Sequence, residues 1–485
     1  MAVIFSGPEC APTVGDTAFL TWATAQVFVM IPALGFFEAG LVRSKSAISI
    51  LAQIVGGTAV LSVLFVVVGF TLIFGESQGG VIGSLEYAGL ATIRTDSCYV
   101  AESQVPALSY AAFEMMFAVI CPLLITGAWA ERFTYRAFLV FVVAWSLLVY
   151  YPVAHWIWGG GWLAKRGVLD FAGGIVIHTT AGVAALVSSI YLGPRAHHGI
   201  SHVLKPHSVP LTIIGGGLLW FGWFGFNGGS SYRAGGNSAA AIINTHVAAS
   251  VCGVVWLAIS WAREGRPHIV DVTNGVIAGL AGITPVAGYC SVPAALAMGV
   301  VLAVLGDAAV ILLADVAKID DALEVSAVHG ATGLVGSLSI GFLATSSIST
   351  AVKHQGLFVK GGSGYLLAQQ ALAVVVVSAW TALATLAILY IIDKVLFPTR
   401  ATTEQEDEGL DVSMHEGHAY LFSKLAIYEE LFPEDDAANY PDGTPHASIA
   451  SIADRSPHSS HININTSGRE PLLRSHTSDY YASLS

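Results

Sequence analysis

Two segments of the chain carry an aspartate, a histidine and a glycine at the same spacing. In each segment, seven residues separate the Asp from the His, and three separate the His from the Gly. The two sets are Asp170, His178 and Gly182, and Asp321, His329 and Gly333. An imidazole can accept, donate or hand on a proton near neutral pH. The repeated spacing predicts a proton-handling site that two related halves of one fold build together.

Both histidines lie about two helical turns into apolar segments. At membrane depth, ionisable side chains usually face a cavity and mark a pathway. The alternative interpretation of a buried histidine is a packing residue whose hydrogen bonds are satisfied. Because His178 and His329 occupy matched positions, we expect both to line one central pore.

Aromatic side chains from three further segments are expected at the outer mouth of this pore. Phe117 lies in the outer half of one segment, Trp158 ends another, and Phe226 and Ser230 close a third. An aromatic face attracts a desolvated cation by about 2 kcal/mol or more, and a hydroxyl can accept a hydrogen bond from it. The alternative interpretation is the aromatic belt found where helices cross the membrane–water interface.

The composition identifies the elements that must position these residues. Of the 485 residues, 54% are hydrophobic and only 11% are charged, whereas soluble domains carry roughly 25% charged residues. This excludes an ordinary soluble enzyme, a nucleic-acid-binding protein and a secreted disulfide-rich domain. The sequence also lacks a glycine-rich phosphate loop, a nucleophile elbow and metal-ligand spacing, so we expect neither enzymatic activity nor a cofactor or metal.

The chain is therefore interpreted as a polytopic protein of the lipid bilayer. A hydrocarbon core of about 30 Å needs roughly 20 apolar residues per helix. Eleven apolar runs predict an all-α fold of two inverted five-helix repeats plus an eleventh helix. The runs are approximately 17–41, 48–74, 107–130, 137–157, 171–193, 209–229, 238–261, 271–288, 291–314, 323–347 and 365–392.

Lysine and arginine placement predicts the orientation, because cytosolic loops are enriched in both. Alternate connections carry nine of these residues against six on the other side. We expect the N-terminus outside and the C-terminus in the cytosol, in the plasma membrane. Cys10, Cys98 and Cys290 then fall in extracellular segments, where one disulfide can form among them, and the pairing stays open.

These residues resemble the Amt/Mep/Rh superfamily of ammonium transporters, and the Amt branch more closely than the Rh branch. The resemblance covers about residues 15–400. A tail segment from Gly409 to His415 is similar to the regulatory C-terminal motif of the Amt branch. The body residues that carry it are Asp170 to His178, Gly193-Pro194-Arg195, Ala130-Glu131-Arg132, His155 to Gly161, Gly222 to Asn227 and Val328-His329-Gly330.

The resemblance implies a homotrimer with one pore in each subunit, and it implies roles for the residues above. It places external ammonium recruitment at Phe117, Trp158 and Ser230, a phenyl gate at Phe117 and Phe226, pore lining and proton relay at His178 and His329, and site support at Asp170. Asp170 begins a span, so its position alone favours a helix N-cap, and the two roles do not exclude each other.

Physical chemistry favours the same substrate route. A narrow apolar pore imposes a Born penalty of tens of kcal/mol on an intact ion, whereas neutral ammonia escapes most of it. We therefore expect ammonium to lose its proton below the gate and ammonia to pass the histidines, with separate proton transfer and net charge movement. The alternatives are an Rh-like electroneutral gas channel and an ammonium sensor that signals through its tail.

The expected domains are a transporter body over 1–397, a cytosolic regulatory segment over 398–436 and an acidic, Ser-rich tail over 437–485. The last is expected to be disordered because it has few large apolar residues. Ser413 lies where related plant transporters carry a phosphorylatable Thr. A phosphate there would add nearly two negative charges, so we expect a kinase or regulatory protein acting on the tail to close the pore.

Overall fold

The structure is a computed structural model that describes residues 3–6, 10–100, 104–199, 204–415 and 417–420. The expected disordered tail over 437–485, and residues 416 and 421–436 of the expected regulatory segment, lie outside these ranges. Within them the chain is helical throughout its apolar body, with small strands in its extramembrane loops.

The helices follow the apolar runs of the sequence. Ten of those described are long and apolar enough to cross a bilayer, and an eleventh apolar helix is shorter. They are α1 Val14–Leu41, α2 Ser44–Phe74, α3 Ala107–Trp129, α4 Tyr135–Lys165, α5 Gly174–Leu192, α6 Val209–Gly229, α7 Gly236–Glu264, α8 Ile269–Ile283, α9 Val292–Val316, α10 Ser326–Leu343 and α11 Gly364–Leu396, followed by the short α12 Thr403–Glu408 and α13 Leu410–His415. This confirms the all-α membrane fold.

The eighth span is where the helix differs most from its apolar run. The run 271–288 predicts a full-length span, but α8 has 15 residues, about 23 Å at 1.5 Å per residue. Turns continue the chain to Cys290, and all residues from 275 to 290 are buried. Because this stretch is surrounded by protein, its backbone can leave the helix without exposing polar groups to lipid.

The two Asp–His–Gly segments fold alike. The Asp170 carboxylate accepts four backbone N–H groups at the start of α5, and the Asp321 carboxylate accepts two at the start of α10. Three residues after each Asp, the backbone turns left-handed, with φ 114° at Gly173 and 61° at Glu324. Each histidine then lies in a π-helical turn, 174–179 or 326–331, a rare form that is frequent at functional sites.

Glycines let α5 and α10 cross at very short range. A Cβ added at Gly182 would overlap the Cα of Gly330, and one added at Gly333 would lie 2.6 Å from the Cβ of His178. The residue four positions after each histidine thus packs beside the histidine of the other helix. This reciprocal contact supports the inverted relation between the two halves and brings the two histidines to the same level.

The loop strands lie on the side that the orientation places outside. Strand β1 Val3–Ser6 pairs with β4 Ser97–Val100, which pairs with β5 Gln104–Pro106, and β2 Ser77–Gln78 pairs with β3 Ile82–Gly83, all antiparallel. A disulfide joins Cys10 to Cys98 next to the first sheet. The pairing left open by the sequence is thereby resolved, and Cys290 is a free, buried thiol.

On the opposite side, buried ion pairs tie the helix ends together. Glu131 accepts from Arg43 Nε at 2.7 Å and from Arg195 Nη1 at 2.9 Å, and Arg195 also bonds Asp320 at 2.8 Å. Burial alone would raise the pKa of Asp320, but the hydrogen bonds and charges of Arg195 and Arg132 lower it to about 2. The Asp320 carboxylate is therefore charged at neutral pH.

The tail helices lie against this face. The Asp411 carboxylate accepts the backbone N–H of Ser49 at the start of α2, at 2.8 Å. Glu406 accepts the Ala196 N–H at 2.7 Å and the Arg400 Nε–H at 2.8 Å. The start of the tail is thus bonded directly to the helix ends of the body.

Candidate functional site

The two histidines lie side by side in the centre of the helix bundle. Their rings are 5.3 Å apart and inclined by 17°, and the Nδ1 atoms are separated by 3.3 Å. His178 is 1% exposed and His329 is 8% exposed. The matched sequence positions therefore correspond to one contact, which the crossing of α5 and α10 creates.

The contact constrains where the protons lie. Two Nδ1 atoms can form a hydrogen bond only if one of them carries a proton. In the neutral pair, the donor ring then has an unprotonated Nε2 and the acceptor ring has an Nε2–H. One outer nitrogen accepts and the other donates, and moving the shared proton reverses the two roles. Among the described residues, the Nε2 of His178 has no hydrogen-bond partner, so it is free for a guest molecule.

A pair of phenyl rings lies on the outer side of the histidines. Phe117 of α3 and Phe226 of α6 have ring centroids 4.3 Å apart, and both are almost completely buried. Phe226 also lies 6.1 Å from the His178 ring. The two rings are thus in contact with each other, and Phe226 adjoins the histidine pair.

The mouth residues surround this ring pair. Trp158 is perpendicular to Phe117, with centroids 6.2 Å apart. The Ser230 hydroxyl donates to the Phe226 carbonyl at 2.8 Å, which leaves its oxygen lone pairs as acceptors. Trp158 thus contacts one ring of the pair, and Ser230 is bonded to the backbone of the residue that carries the other.

Asp170 links the mouth to the histidine helix. Its carboxylate accepts the N–H groups of residues 173 to 176 at 2.7–3.0 Å, and its backbone carbonyl accepts the Trp158 indole N–H at 2.9 Å. The expected cap is present, and it fixes Trp158 as well as the start of α5. Asp170 thereby positions the aromatic mouth above His178.

Trp223 belongs to the site although the sequence analysis gave it no role. Its ring stacks on His178 at 5.6 Å, and its indole N–H donates to Thr284 Oγ1 at 2.9 Å. The sequence did contain a signal for this residue. Trp223, Phe226 and Ser230 are three and four residues apart, and this spacing places them on one face of a helix.

A narrow cavity continues inward from the gate. Its volume is about 30 Å³, enough for one or two molecules the size of water. Apolar side chains make up most of its wall. The polar members are Glu38, His178, Asn274 and His329, and the aromatic ones are Phe37, Trp223 and Phe226. The histidines therefore line a cavity with room for a small molecule.

Ser413 is apart from this path. It lies in the tail helix α13, half-buried, and its hydroxyl donates to the Gly409 carbonyl at 2.9 Å. It does not line the cavity, so any influence on transport must act through the tail.

The chain was compared with known proteins. The profile of the Ammonium Transporter Family matches residues 18–420. Ammonium transporter 1 of Dictyostelium discoideum is 46% identical over 414 residues, covering 85% of this chain and 88% of the relative. Ammonium transporter Amt1 of Archaeoglobus fulgidus is 38% identical over 406 residues, covering 84% and 99%.

Solved structures show the same likeness. A Sensor Amt Protein has a TM-score of 0.75 at 31% identity, covering 82% of this chain and 98% of its own. Candida albicans Mep2 has a TM-score of 0.75 at 32% identity, covering 81% and 88%.

Proposed function

This chain belongs to the ammonium transporter family and transports ammonium across a membrane, and we propose a route through the cavity described above. Ammonium is recruited at the mouth, gives up its proton below the phenyl rings, and crosses as ammonia past the histidines. The observation that carries the proposal is the Nδ1–Nδ1 contact at 3.3 Å inside a narrow, mostly apolar cavity.

Recruitment is assigned to Phe117, Trp158 and Ser230. Two aromatic rings attract the cation, and the Ser230 oxygen can accept one of its N–H bonds because its own proton is directed to the Phe226 carbonyl. The tilted contact between the Phe117 and Phe226 rings closes the path beneath, so the ion is held at the mouth until the rings move apart.

Selectivity follows from the apolar wall. An ion that keeps its charge faces a desolvation penalty far larger than one cation–π contact returns. Ammonium avoids the penalty by deprotonation, an option that potassium lacks. The ammonia that forms can donate to the unprotonated Nε2 of one histidine and accept from the Nε2–H of the other.

The same pair can carry the released proton. A proton taken up at one Nε2 releases the shared Nδ1 proton to the second ring, which then gives up its own Nε2 proton. Each cycle moves one proton and one ammonia separately, so transport is electrogenic.

We propose that the protein works as a homotrimer in the plasma membrane, with its N-terminus outside and its tail in the cytosol. Support for an oligomer comes from the outer surface of α6 and α7, where an exposed His246 stacks on Trp220 at 5.2 Å. An imidazole directed into lipid is unfavourable, and a neighbouring subunit would cover it.

The tail is proposed to regulate the pore. It bonds the helix ends through Asp411 and Glu406, and a phosphate on Ser413 would add negative charge near Asp411 and the acidic helix α12. The expected result is closure. A Ser413→Asp variant that transports at the full rate would contradict this role.

Two experiments test the transport proposal. The chain should restore growth on low ammonium to cells that lack their own transporters, and the His178→Ala/His329→Ala variant should lose its ammonium-evoked current. Unchanged uptake and current in that variant would refute the route. Uptake without any current in the unaltered protein would favour an electroneutral gas channel instead.

A sensor role is a second candidate, favoured by the 31% identity to a Sensor Amt Protein. Deletion of the tail separates the two roles. Loss of signalling with intact uptake supports a sensor, whereas loss of neither excludes signalling through the tail.

A further inference from the structure

The inner part of the cavity contains a carboxyl group that the route above does not use. Glu38 lies near the cytosolic end of α1 and is 2% exposed. Among the described residues that line the cavity, the titratable side chains are His178, His329 and Glu38. Glu38 is therefore the one carboxyl group in this set of wall residues.

The hydrogen bonds of Glu38 suit either protonation state. Its Oε2 lies 2.6 Å from the hydroxyl oxygen of Thr126, and that oxygen also lies 2.6 Å from the Leu123 carbonyl. A hydroxyl has one proton, and a carbonyl can only accept. When the Thr126 proton points to Leu123, the contact with Glu38 is a hydrogen bond only if Glu38 carries a proton. When Glu38 is ionised, the hydroxyl can rotate and donate to it.

Among the residues that the structure describes, no positive charge holds Glu38 in the ionised form. In the described part of the chain, no Lys, Arg or His forms an ion pair with it. The charged group that interacts with it electrostatically is another acid, Asp321, at the start of α10. Its second oxygen, Oε1, lies 3.0 Å from the position of a Cβ at Gly127, beside the Leu323 and Val325 side chains. The Gly127 backbone N–H also donates to this carboxyl group, so the group has hydrogen-bond partners in both protonation states.

We propose that Glu38 is the inner proton acceptor of the transport cycle, an inference that rests on the proposed relay. The N–H bond of the His329 imidazolium breaks, and an O–H bond forms on the Glu38 carboxylate, directly or through one lumen water. The Glu38 O–H bond then breaks and its proton passes to cytosolic water. The Thr126 hydroxyl reverses its hydrogen bond at each step, so the carboxyl group stays in place.

The test separates the proton path from the ammonia path. The full-length protein is reconstituted in liposomes as the unaltered chain, Glu38→Gln and Glu38→Asp. Ammonium-evoked current is measured on a solid-supported membrane, and permeation of neutral ammonia is measured by stopped-flow internal alkalinisation. We expect Glu38→Gln to lower the current by at least about a hundredfold, the low end of typical proton-transfer contributions, and to leave ammonia permeation within about twofold. Glu38→Asp should keep a current with a shifted pH profile.

The matched control is Glu114→Gln. Glu114 is also a buried carboxyl in a span, 3% exposed and bonded to the Tyr232 hydroxyl at 2.8 Å, but it does not line the cavity. Its replacement should leave the current within about twofold. An equal loss of current in both variants would assign the effect to burial of a carboxyl group in general and would overturn the proposal.

Three further outcomes would also overturn it: an unchanged current in Glu38→Gln, a parallel loss of current and ammonia permeation in a folded protein, or an unaltered pH profile in Glu38→Asp. If Glu38→Gln does not fold, the pH profile of Glu38→Asp tests the proposal by itself. The His178→Ala/His329→Ala variant identifies which idea has failed. If that variant loses its current while Glu38→Gln keeps it, the relay stands without Glu38, and if both keep it, the relay itself is wrong.

Discussion

The cap of the histidine helix offers the sharpest test of how the site is held. In Asp170→Asn, one carboxylate oxygen becomes an NH2 group, which donates rather than accepts. Oδ1 of Asp170 accepts the N–H groups of Gly173 and Gly174, and Oδ2 accepts those of Ile175 and Val176. Whichever way the amide turns, two buried backbone donors lose their acceptor.

The expected loss follows from these bonds. A hydrogen bond to a charged group contributes about 1.5–3 kcal/mol, so two lost bonds predict about 3–6 kcal/mol less unfolding free energy. Asp321 provides a matched control in the other half of the fold, because each of its oxygens accepts one N–H, from Val325 or Ser326. Asp321→Asn leaves one donor unpaired and should lose about half as much.

The assay is denaturant-induced unfolding in mixed micelles, followed by tryptophan fluorescence, for the unaltered chain and both variants. Ammonium current in liposomes provides a second readout, which should fall in Asp170→Asn because Trp158 is bonded to the backbone of the same residue. The argument is that the loss of stability follows the number of backbone N–H groups left without an acceptor. It would be refuted if Asp321→Asn lost as much stability as Asp170→Asn, or if Asp170→Asn lost less than about 1 kcal/mol.

Three further perturbations have defined outcomes. Thr284→Val removes the acceptor of the buried Trp223 N–H and should lower the unfolding free energy by about 1–3 kcal/mol. Thr284→Ser should restore most of that loss, and equal stability of all three chains would contradict the bond. Asp320→Asn should lose about 2 kcal/mol at neutral pH, because the pKa of Asp320 is lowered from 3.8 to about 2. Since the folded pKa lies below the ordinary one, this stability is present above about pH 4 and is lost as pH falls toward 2, so the variant and the unaltered chain should converge in acid. A persistent difference in acid would refute the electrostatic origin. Gly182→Ala places a Cβ against the Gly330 backbone and should abolish ammonium current while membrane insertion persists. Normal current would show that the two helices can separate without loss of the histidine contact.

Much of the fold was predictable because a membrane span is a local property. The bilayer requires about 20 apolar residues in a row, and each such run can be read without knowing its neighbours. The eighth span shows the limit of that rule. Burial within the bundle lets α8 stop at Ile283, and hydropathy cannot distinguish a protein-facing turn from a lipid-facing helix.

The sequence predicted the site residues that recur in both halves of the internal repeat. The matched positions of His178 and His329 identified both histidines, and resemblance to a family suggested the mouth and gate. Trp223 and Glu38 were missed as site residues because each is a single occurrence with no counterpart in the repeat. The Trp223 stack on His178 and the Glu38 contact with Thr126 join distant segments, so only the packed helices reveal them.

The amino-acid sequence alone determined that this is a polytopic helical protein built on two related halves, each with a histidine at membrane depth. Those features depend on composition and residue spacing, which can be read directly from the linear sequence. The tertiary structure decided that the rings meet at Nδ1, that Cys10 rather than Cys290 pairs with Cys98, and that a carboxyl group lines the same cavity as the histidines. These facts depend on which helix faces are in contact, and side-chain packing between segments far apart in sequence determines those contacts.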